Sequence, residues 1–242
     1  IIAKMGSISV SELSRQLGVS VVTIRKDLEV LESDNSVTRT YGGVIHGSKP
    51  IQEEIPELPK FSAQVIEAAG FIAPGQTIML GGGKHIVSLA DYIKNYENLT
   101  VITISIEVAL TLMKAPHIDV ILTGGILRAR TMTMLGFLTE RVIKEIAFDI
   151  SFSEADGIHP QNGITSANMV EASTESTLLK YSNRPIILAE AGAIGRSAPV
   201  QISKLKPELT IILEGELERN TLKELESSGT QVIIPATASN HP

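Results

Sequence analysis

Residues 20–33 of the 242-residue chain read SVVTIRKDLEVLES, and the architecture of the amino-terminal part follows from this stretch. Its apolar residues recur at intervals of three and four positions: Val21, Ile24, Leu28 and Leu31. This period predicts an amphipathic helix, and Ser20 immediately before it is a typical N-cap residue. We therefore expect a helix in which Ile24, Leu28 and Leu31 turn inward while the polar face remains in solvent.

A shorter helix is predicted before this one and a hairpin after it. Ser9 and Glu12 have the spacing of a capping box, and Gly18 is a typical residue at a helix end. The apolar face of this short helix would carry Val10, Leu13 and Leu17. Residues 37–45 contain two β-prone segments around a Gly-Gly pair, which predicts a small hairpin. Helix, tight turn, helix and hairpin are the elements of a winged helix-turn-helix.

The second helix of a helix-turn-helix enters the DNA major groove with its amino-terminal residues against the base edges. Five residues form the corresponding surface here: Ser20, Val21, Thr23, Arg25 and Lys26. Three more lie on the predicted wing, within reach of backbone phosphate or the minor groove: Arg39, Thr40 and Tyr41. Val21 and Thr23 can contact a thymine methyl group, and Arg25 can bind a guanine or a phosphate. The alternative interpretation is an ordinary pair of amphipathic helices with a solvated polar face.

Several motifs along the chain resemble a known family. Residues 22–32 read VTIRKDLEVLE and residues 39–44 read RTYGGV, which strongly resembles the amino-terminal signature of DeoR-type bacterial transcriptional regulators. The likeness continues with TGGILRART at 123–131 and ADGI at 155–158. It implies a winged helix-turn-helix joined to a domain that shares its fold with ribose-phosphate isomerases and CoA transferases. It also implies that a phosphorylated sugar or a related metabolite binds this second domain and releases the DNA.

Charge is divided unevenly along the chain, whose net charge is −6. Residues 1–49 contain six basic residues (Lys or Arg) and five acidic residues (Asp or Glu). Residues 50–242 contain 15 basic and 22 acidic residues. Only the amino-terminal part is therefore suited to approach double-stranded operator DNA. Because its net charge of +1 allows few phosphate contacts, the count favours two copies on a palindrome, and hence a homodimer or homotetramer.

The chain is predicted to contain two domains. Residues 47–60 include three prolines and an acidic pair, which is typical of a linker. They separate a winged helix-turn-helix at 1–46, with a truncated first helix, from an α/β domain at 61–236 that is followed by a tail at 237–242. In the second domain β-prone and helical segments alternate, which predicts an α/β fold with a mainly parallel sheet. The predicted strands are 77–80, 100–104, 119–122, 149–152, 185–189, 209–213 and 231–234. The predicted helices are 62–72, 85–95, 106–115, 138–146, 168–181 and 217–228.

The candidate effector site lies at the carboxyl ends of these strands, where α/β sheets place their ligands. Gly81, Gly82 and Gly83 form a turn before a helix, where free amides and the helix dipole favour an anion, and Lys84 adds a positive charge. His85 adjoins this turn. The resemblance and the strand-end positions extend the candidate site to Thr103, Ser105, Gly124, Gly125, Arg128, Asp156, Asn168, Glu175 and Glu190. A tight turn without a ligand remains the alternative for the glycines.

Some positions in this site depart from the DeoR pattern. Glu154 stands where the resemblance implies a glycine, and Glu175 stands where it implies a lysine. Because carboxylates repel a phosphate, a neutral polyol or an amine-bearing effector is an alternative to a sugar phosphate. A second domain that only oligomerises is another alternative. A third is a sugar-phosphate isomerase or acyl-group transferase, in which a carboxylate would act as the base and Lys84 would hold the enediolate.

Composition narrows the remaining classes of function. The chain has no cysteine and its five histidines are scattered, so neither a metal site nor a cofactor is expected. It contains no uncharged apolar run of 18 residues, so no membrane-spanning segment is expected. We therefore predict a cytoplasmic DNA-binding repressor of a carbohydrate-metabolism operon, and not an enzyme.

Overall fold

The computed structural model describes residues 1–5, 7–33, 37–40, 43–46 and 61–236. For residues 3, 4, 7, 33, 38–40, 43, 45 and 46 it describes the backbone only. The chain divides into two compact units, Ile1–Lys60 and Phe61–Pro242. The linker predicted at 47–60 and the tail predicted at 237–242 lie outside the described residues.

The first unit combines a helix-turn-helix with a three-stranded antiparallel sheet. Its elements are α1 (Ile2–Met5), β1 (Ser7–Ser9), α2 (Val10–Leu17), α3 (Val21–Ser33), β2 (Val37–Thr40) and β3 (Gly43–His46). The strands lie in the order β1-β3-β2. The predicted helix pair and hairpin are confirmed, and β1 is an additional strand that the sequence analysis did not predict.

Local capping explains the tight turn between α2 and α3. The Ser9 hydroxyl accepts a hydrogen bond from the Glu12 backbone N–H at 3.2 Å, and the Ser20 hydroxyl accepts one from the Thr23 N–H at 3.2 Å. Gly18 ends α2 with φ of 66°, a left-handed conformation that glycine adopts without steric penalty. The end of one helix and the start of the next are therefore both fixed within a few residues.

A small apolar core holds this unit together. Its buried members are Ile8, Leu13, Ile24, Leu28, Val37 and Val44. The prediction that Leu31 turns inward is wrong, because this side chain is 36% exposed, and Leu17, predicted on the apolar face of α2, is 51% exposed. Each lies one turn beyond the last buried residue of its helix, so the core ends before it.

The second unit is an α/β domain. Its strands are β4 (Thr77–Leu80), β5 (Thr100–Thr103), β6 (Asp119–Leu122), β7 (Ile126–Arg128), β8 (Thr133–Leu135), β9 (Ile150–Glu154), β10 (Gly157–His159), β11 (Gly163–Ser166), β12 (Pro185–Glu190), β13 (Val200–Ser203), β14 (Thr210–Glu214) and β15 (Gln231–Ile233). Its helices are α4 (Ala63–Ala69), α5 (Lys84–Tyr92), α6 (Ile106–Leu112), α7 (Phe137–Glu145), α8 (Met169–Tyr181) and α9 (Arg219–Glu226).

A seven-stranded sheet forms the centre of this domain, in the order β15-β14-β12-β9-β4-β5-β6. Every neighbouring pair in it is parallel. All seven predicted strands belong to this sheet, so the predicted α/β fold is confirmed. The remaining strands were not predicted, and they form the hairpin β7-β8 and the antiparallel sheet β10-β11-β13.

Both faces of the parallel sheet are buried at its central strands, whereas the edge strand β6 is largely exposed. Ile78 and Leu80 belong to one apolar cluster with residues of α4, α5 and α6, whereas Met79 between them belongs to a second cluster with residues of α7, α8 and α9. This explains why the strands read as nearly continuous apolar runs, since side chains on both faces are covered. The carboxyl ends of the central strands are the place where polar loops meet. Within the part of the chain that the structure describes, no helix is both long and apolar enough to cross a bilayer.

Candidate functional site

The candidate DNA-reading surface is the amino-terminal half of α3. All five residues predicted for it are exposed: Ser20, Val21, Thr23, Arg25 and Lys26. The hydroxyl groups of Ser20 and Thr23 lie 2.9 Å apart and hydrogen bond to each other. The first turn of α3 contains no acidic residue, so its helix dipole presents positive charge to solvent. Val22, which the sequence analysis did not include, is 72% exposed on the same turn.

The predicted wing is described only in part. The backbones of Arg39 and Thr40 lie in β2, where they pair with Val44 and Gly43 of β3. Their side chains and all of Tyr41 lie outside the described residues. The contribution of these three residues to DNA binding therefore stays a prediction.

A cleft of about 510 Å³ opens at the carboxyl ends of the central strands of the second unit. Five of the predicted effector residues line it: Gly82, Gly83, Lys84, Asp156 and Glu175. The wall also includes residues outside that predicted set: Glu107, Arg130, Thr131, Thr133, Ser166 and Glu171. Several of these come from the β7-β8 hairpin and from β11, whose short strands gave no clear sequence pattern. The size of the cleft suits a small-molecule ligand.

A smaller cleft of about 230 Å³ adjoins the first and shares Lys84 and Glu154 with it. Its wall includes His85 and Glu190, which were also predicted. Lys84 forms an ion pair with Glu190, and this contact raises the pKa of Lys84 above its ordinary value. The one cation assigned to the glycine turn is therefore already paired with a carboxylate of the same chain.

Three neighbouring strands each end in a glutamate, and all three glutamates surround His85. The His85 Nδ1 atom lies 3.2 Å from Glu154, and Nε2 lies 3.7 Å from Glu190 and 3.6 Å from Glu214. The contact with Glu154 raises the pKa of His85, although partial burial of the ring opposes this shift. The imidazole ring thus lies in a negatively charged environment.

The glycine turn holds a carboxylate of the protein itself. Oε1 of Glu154 accepts a hydrogen bond from the His85 backbone N–H at 2.6 Å and lies 3.4 Å from the Ile86 nitrogen. Gly83 precedes α5 with φ of 116°, and a Cβ atom there would lie 2.7 Å from Oε2 of Glu154. The glycine therefore permits the close approach of Glu154 to the amino end of α5.

The opposite wall of the large cleft is acidic and partly neutralised. Glu171 forms an ion pair with Arg128 at 3.0 Å and accepts a hydrogen bond from Thr131 at 3.1 Å. Asp156 accepts hydrogen bonds from the Ala167 backbone N–H at 2.8 Å and from the Ser166 hydroxyl at 3.2 Å. Both carboxylates are thus held in place by the chain itself.

Burial sets the protonation of Glu175. Withdrawal from water raises the pKa of Glu175 to about 8, and the nearby charges of Asp156, Glu171 and Glu154 add to the shift. At neutral pH this carboxyl group therefore carries a proton most of the time. A neutral Glu175 can donate a hydrogen bond into the cleft, which an ionised carboxylate cannot do.

The other predicted effector residues lie outside the lining of both clefts: Gly81, Thr103, Ser105, Gly124, Gly125, Arg128 and Asn168. Thr103 is buried and donates to the Leu80 carbonyl at 2.9 Å, whereas Ser105 and Asn168 are N-caps of α6 and α8. Gly125 adopts φ of 124°, and a Cβ atom there would lie 2.8 Å from the Leu135 carbonyl oxygen. These residues shape the loops around the cleft and do not form its wall.

The acidic side chains and histidines of the described residues do not meet the requirements of a metal centre. Among the described residues, no three His, Cys, Asp or Glu side chains are placed so that they could hold a metal ion. The cleft residues are suited instead to hydrogen bonds and ion pairs with an organic ligand.

A winged helix-turn-helix with an exposed second helix, combined in one chain with an α/β unit that has a ligand-sized cleft, is an arrangement typical of ligand-responsive transcriptional regulators. Residues 65–214 match the family described as the DeoR C terminal sensor domain, and residues 1–49 match the DeoR-like helix-turn-helix domain. The chain belongs to the DeoR family of transcriptional regulators. The family resemblance predicted from the sequence motifs is thereby confirmed.

Relatives match almost the whole chain. The HTH-type transcriptional regulator GolR of Listeria innocua is 29% identical over 94% of this chain and 92% of its own length. The lactose phosphotransferase system repressor of Staphylococcus epidermidis is 28% identical over 94% of this chain and 93% of its own length. Among solved structures, a D-ribose-5-phosphate isomerase in complex with phospho-erythronic acid is 15% identical, with a TM-score of 0.41, over 57% of this chain and 54% of that one.

Proposed function

We propose that this regulator is a cytoplasmic repressor of a carbohydrate-metabolism operon and that it binds its operator through α3. The exposed row of Val21, Thr23, Arg25 and Lys26 at the amino end of α3 carries this proposal. A helix that presents methyl groups, a hydroxyl and two cations in one patch can combine base contacts with phosphate contacts. Control of a carbohydrate operon is supported by the relative named as a lactose phosphotransferase system repressor.

The proposal includes a homodimer or homotetramer as the DNA-binding form. The amino-terminal residues 1–49 have a net charge of only +1, so one copy would make few phosphate contacts. Exposed apolar side chains on the second unit offer a surface for self-association. Ile126 and Phe137 are each 71% exposed. Cδ1 of Ile126 lies 3.6 Å from the position that a Cβ atom would take at Gly136, the residue directly before Phe137. Paired recognition helices would then read two half-sites of one operator.

The second part of the proposal is that a small metabolite binds the large cleft and changes the affinity for DNA. Such control requires that the ligand bind with different affinity to the DNA-competent and DNA-incompetent states. The hydroxyls of Thr131, Thr133 and Ser166 on the cleft wall are suited to hydrogen bond with a polyol. The predicted candidates Gly82, Gly83, Lys84, Asp156 and Glu175 form the rest of this proposed site.

A purely oligomerising second domain is the second candidate, and two contacts favour it. Glu154 occupies the backbone amides of the glycine turn, and Glu190 pairs with Lys84. The same ion pair argues against an isomerase, because Lys84 is the cation that would have to hold an enediolate. We therefore propose a regulator without enzymatic activity.

One titration tests the proposal. A duplex selected in vitro from a random library by the full chain is titrated with the protein, alone and with a panel of sugars and sugar phosphates. We expect at least one compound both to raise the melting temperature of the protein and to weaken binding of the selected duplex. If no compound changes either quantity, the sensing part of the proposal fails. If no duplex is selected, the DNA-binding part fails.

A further inference from the structure

A carboxylate of the protein itself occupies the anion-binding position of the large cleft. The backbone N–H of His85 donates to Glu154 at 2.6 Å, at the amino end of the nine-residue helix α5. Free amides at such a position normally attract an external phosphate or carboxylate. Here the carboxylate comes from the end of β9, so a phosphate would have to displace Glu154 or lie against its negative charge.

The cations near this position are also engaged. Lys84 is paired with Glu190, and Arg128 at the edge of the cleft is paired with Glu171. Arg130 lines the cleft, but the wall around it carries five acidic side chains: Glu107, Glu154, Asp156, Glu171 and Glu175. The charge of the lining thus disfavours an anionic ligand and favours a cationic one.

A second, independent observation is the state of Glu175. Desolvation is the first cause of its raised pKa, and no hydrogen bond or ion pair to its carboxyl group is formed by the described residues. Asp156 and Glu171, by contrast, have several donors of their own. Glu175 therefore lines the cleft with a carboxyl group that has no partner among the described residues and that a ligand donor could contact.

The rest of the lining indicates the shape of the ligand. The Thr131 and Thr133 hydroxyls lie 2.8 Å apart, and Ser166 adds a third hydroxyl nearby on the wall. Val87, Ile104 and Leu135 provide an apolar part of the same wall. Hydroxyl groups beside an apolar patch match the alternating polar edges and C–H faces of a monosaccharide-sized polyol.

From these contacts we infer that the large cleft binds an unphosphorylated polyol bearing a protonated primary amine, such as an amino sugar, with the ammonium against Glu175 and Glu171. This inference rests on the proposed sensing function and names the ligand class for that site. The hydroxyl groups of the ligand would contact Thr131, Thr133 and Ser166. Glu154 remains on the His85 amide and excludes phosphorylated sugars.

Calorimetric titration of the full chain tests the ligand class. The probes are D-glucosamine and D-galactosamine, their N-acetyl derivatives as uncharged controls of nearly the same shape, glucose 6-phosphate and inorganic phosphate. We expect at least one amine to bind, and its N-acetyl derivative to bind about tenfold more weakly or worse, since a charge-assisted hydrogen bond is lost. Neither phosphate compound should bind the native chain.

Proton release separates an ammonium on Glu175 from binding elsewhere. A bound ammonium lowers the pKa of Glu175 from about 8, so binding at pH 7 should release protons from this site, at most about one per site. Titrations in buffers with different ionisation enthalpies measure this number. Glu175→Gln should abolish the release. The matched control Glu97→Gln alters an exposed acid that lines neither cleft and should leave the release unchanged.

A variant at Glu154 tests the exclusion of phosphate. Glu154→Gly frees the His85 amide, and we expect inorganic phosphate to bind this variant at least about tenfold more tightly than the native chain. Glu154→Gln keeps the size of the side chain and removes its charge. It therefore serves as the test variant if Glu154→Gly does not fold. The expected phosphate affinity of Glu154→Gln lies between those of the native chain and Glu154→Gly.

The results that would overturn the inferred ligand class differ from the results that would overturn the proposed regulator function. Tighter binding of glucose 6-phosphate than of either amine to the native chain overturns the inferred ligand class and leaves the sensor function intact. Binding of no amine also overturns it. Binding of the same protein sample to a selected duplex reports on the regulator function separately.

Discussion

Oε1 of Glu154 lies 2.6 Å from the backbone nitrogen of His85, so a carboxylate from the end of β9 occupies the amino end of α5. The three consecutive glycines before α5 predict a binding place for an external anion. The turn does bind a negative charge, but in the folded protein this charge comes from Glu154 of the same chain. A cleft that would otherwise suit a phosphate thus becomes a cleft with an acidic wall.

The first prediction concerns the dependence of stability on pH. The pKa of Glu175 is raised from 4.5 to about 8 on folding, so the folded state binds a proton more tightly than the unfolded state. This contribution to stability is fully present below about pH 4.5 and is lost as pH rises to about 8, with a slope of at most about 1.4 kcal/mol per pH unit. Glu175→Gln cannot ionise, so its melting temperature should exceed that of the native chain increasingly from pH 5 to 8.

Thermal unfolding of the native chain and Glu175→Gln at pH 5, 6, 7, 8 and 9 measures this difference. The exposed-acid variant Glu97→Gln serves as the control and should follow the native curve. Two parallel curves for the native chain and Glu175→Gln would show that Glu175 is ionised at neutral pH in the folded protein.

The second prediction concerns the addition of a positive charge to the cleft wall. Glu175→Lys replaces a carboxyl group on the cleft wall by a cation, and binding of a phosphorylated sugar should become at least about tenfold tighter than in Glu175→Gln. Glu107→Lys makes the same substitution at a more exposed position of the same wall, where solvent screening should reduce the gain. Calorimetry with glucose 6-phosphate measures both. Equal affinities for Glu175→Lys and Glu175→Gln would place the side chain outside the ligand's reach.

The third prediction concerns Gly125, a candidate effector residue that the structure places in a turn. Its φ of 124° is unfavourable for other residues, and a Cβ atom would approach the Leu135 carbonyl and the Thr139 hydroxyl. Gly125→Ala should therefore destabilise the second unit by about 1–3 kcal/mol. Chemical denaturation measures the loss, and Gly192→Ala is the control, because a Cβ atom at Gly192 meets no other atom within 4 Å. Equal stability of both variants would show that the turn at Gly125 is not constrained.

The fold was largely predictable because its strongest signals are local. Most strands of the parallel sheet are short, largely apolar segments bounded by turn residues, and strands such as Thr77–Leu80 begin and end where the sequence predicts. The β7-β8 hairpin was missed because its strands have three residues each and two of the three in β7 are exposed, which removes the apolar pattern.

The candidate site was predictable only in part, for a different reason. The glycine turn is visible as three consecutive glycines, and Glu154 and Glu175 were noted as unusual. The contact between Glu154 and His85, however, joins residues 69 positions apart through the pairing of β9 with β4. Sequence spacing carries no information about such a contact. The apolar period likewise could not show that the small core ends before Leu31.

The fourth prediction concerns the recognition helix. Arg25 projects into solvent from α3, so Arg25→Ala should leave the fold intact and remove a contact to a base or a phosphate. We expect operator binding at least about tenfold weaker than that of the native chain. Arg219→Ala removes one positive charge from an exposed position at the start of α9 and is the matched control.

The most direct test is the affinity of the native chain, Arg25→Ala and Arg219→Ala for one duplex selected in vitro by the native chain, measured by fluorescence anisotropy over a series of salt concentrations. The account predicts that Arg25→Ala binds weakly while Arg219→Ala binds like the native chain at each concentration. Native affinity and an unchanged salt dependence for Arg25→Ala would contradict the assignment of α3 as the DNA-reading helix.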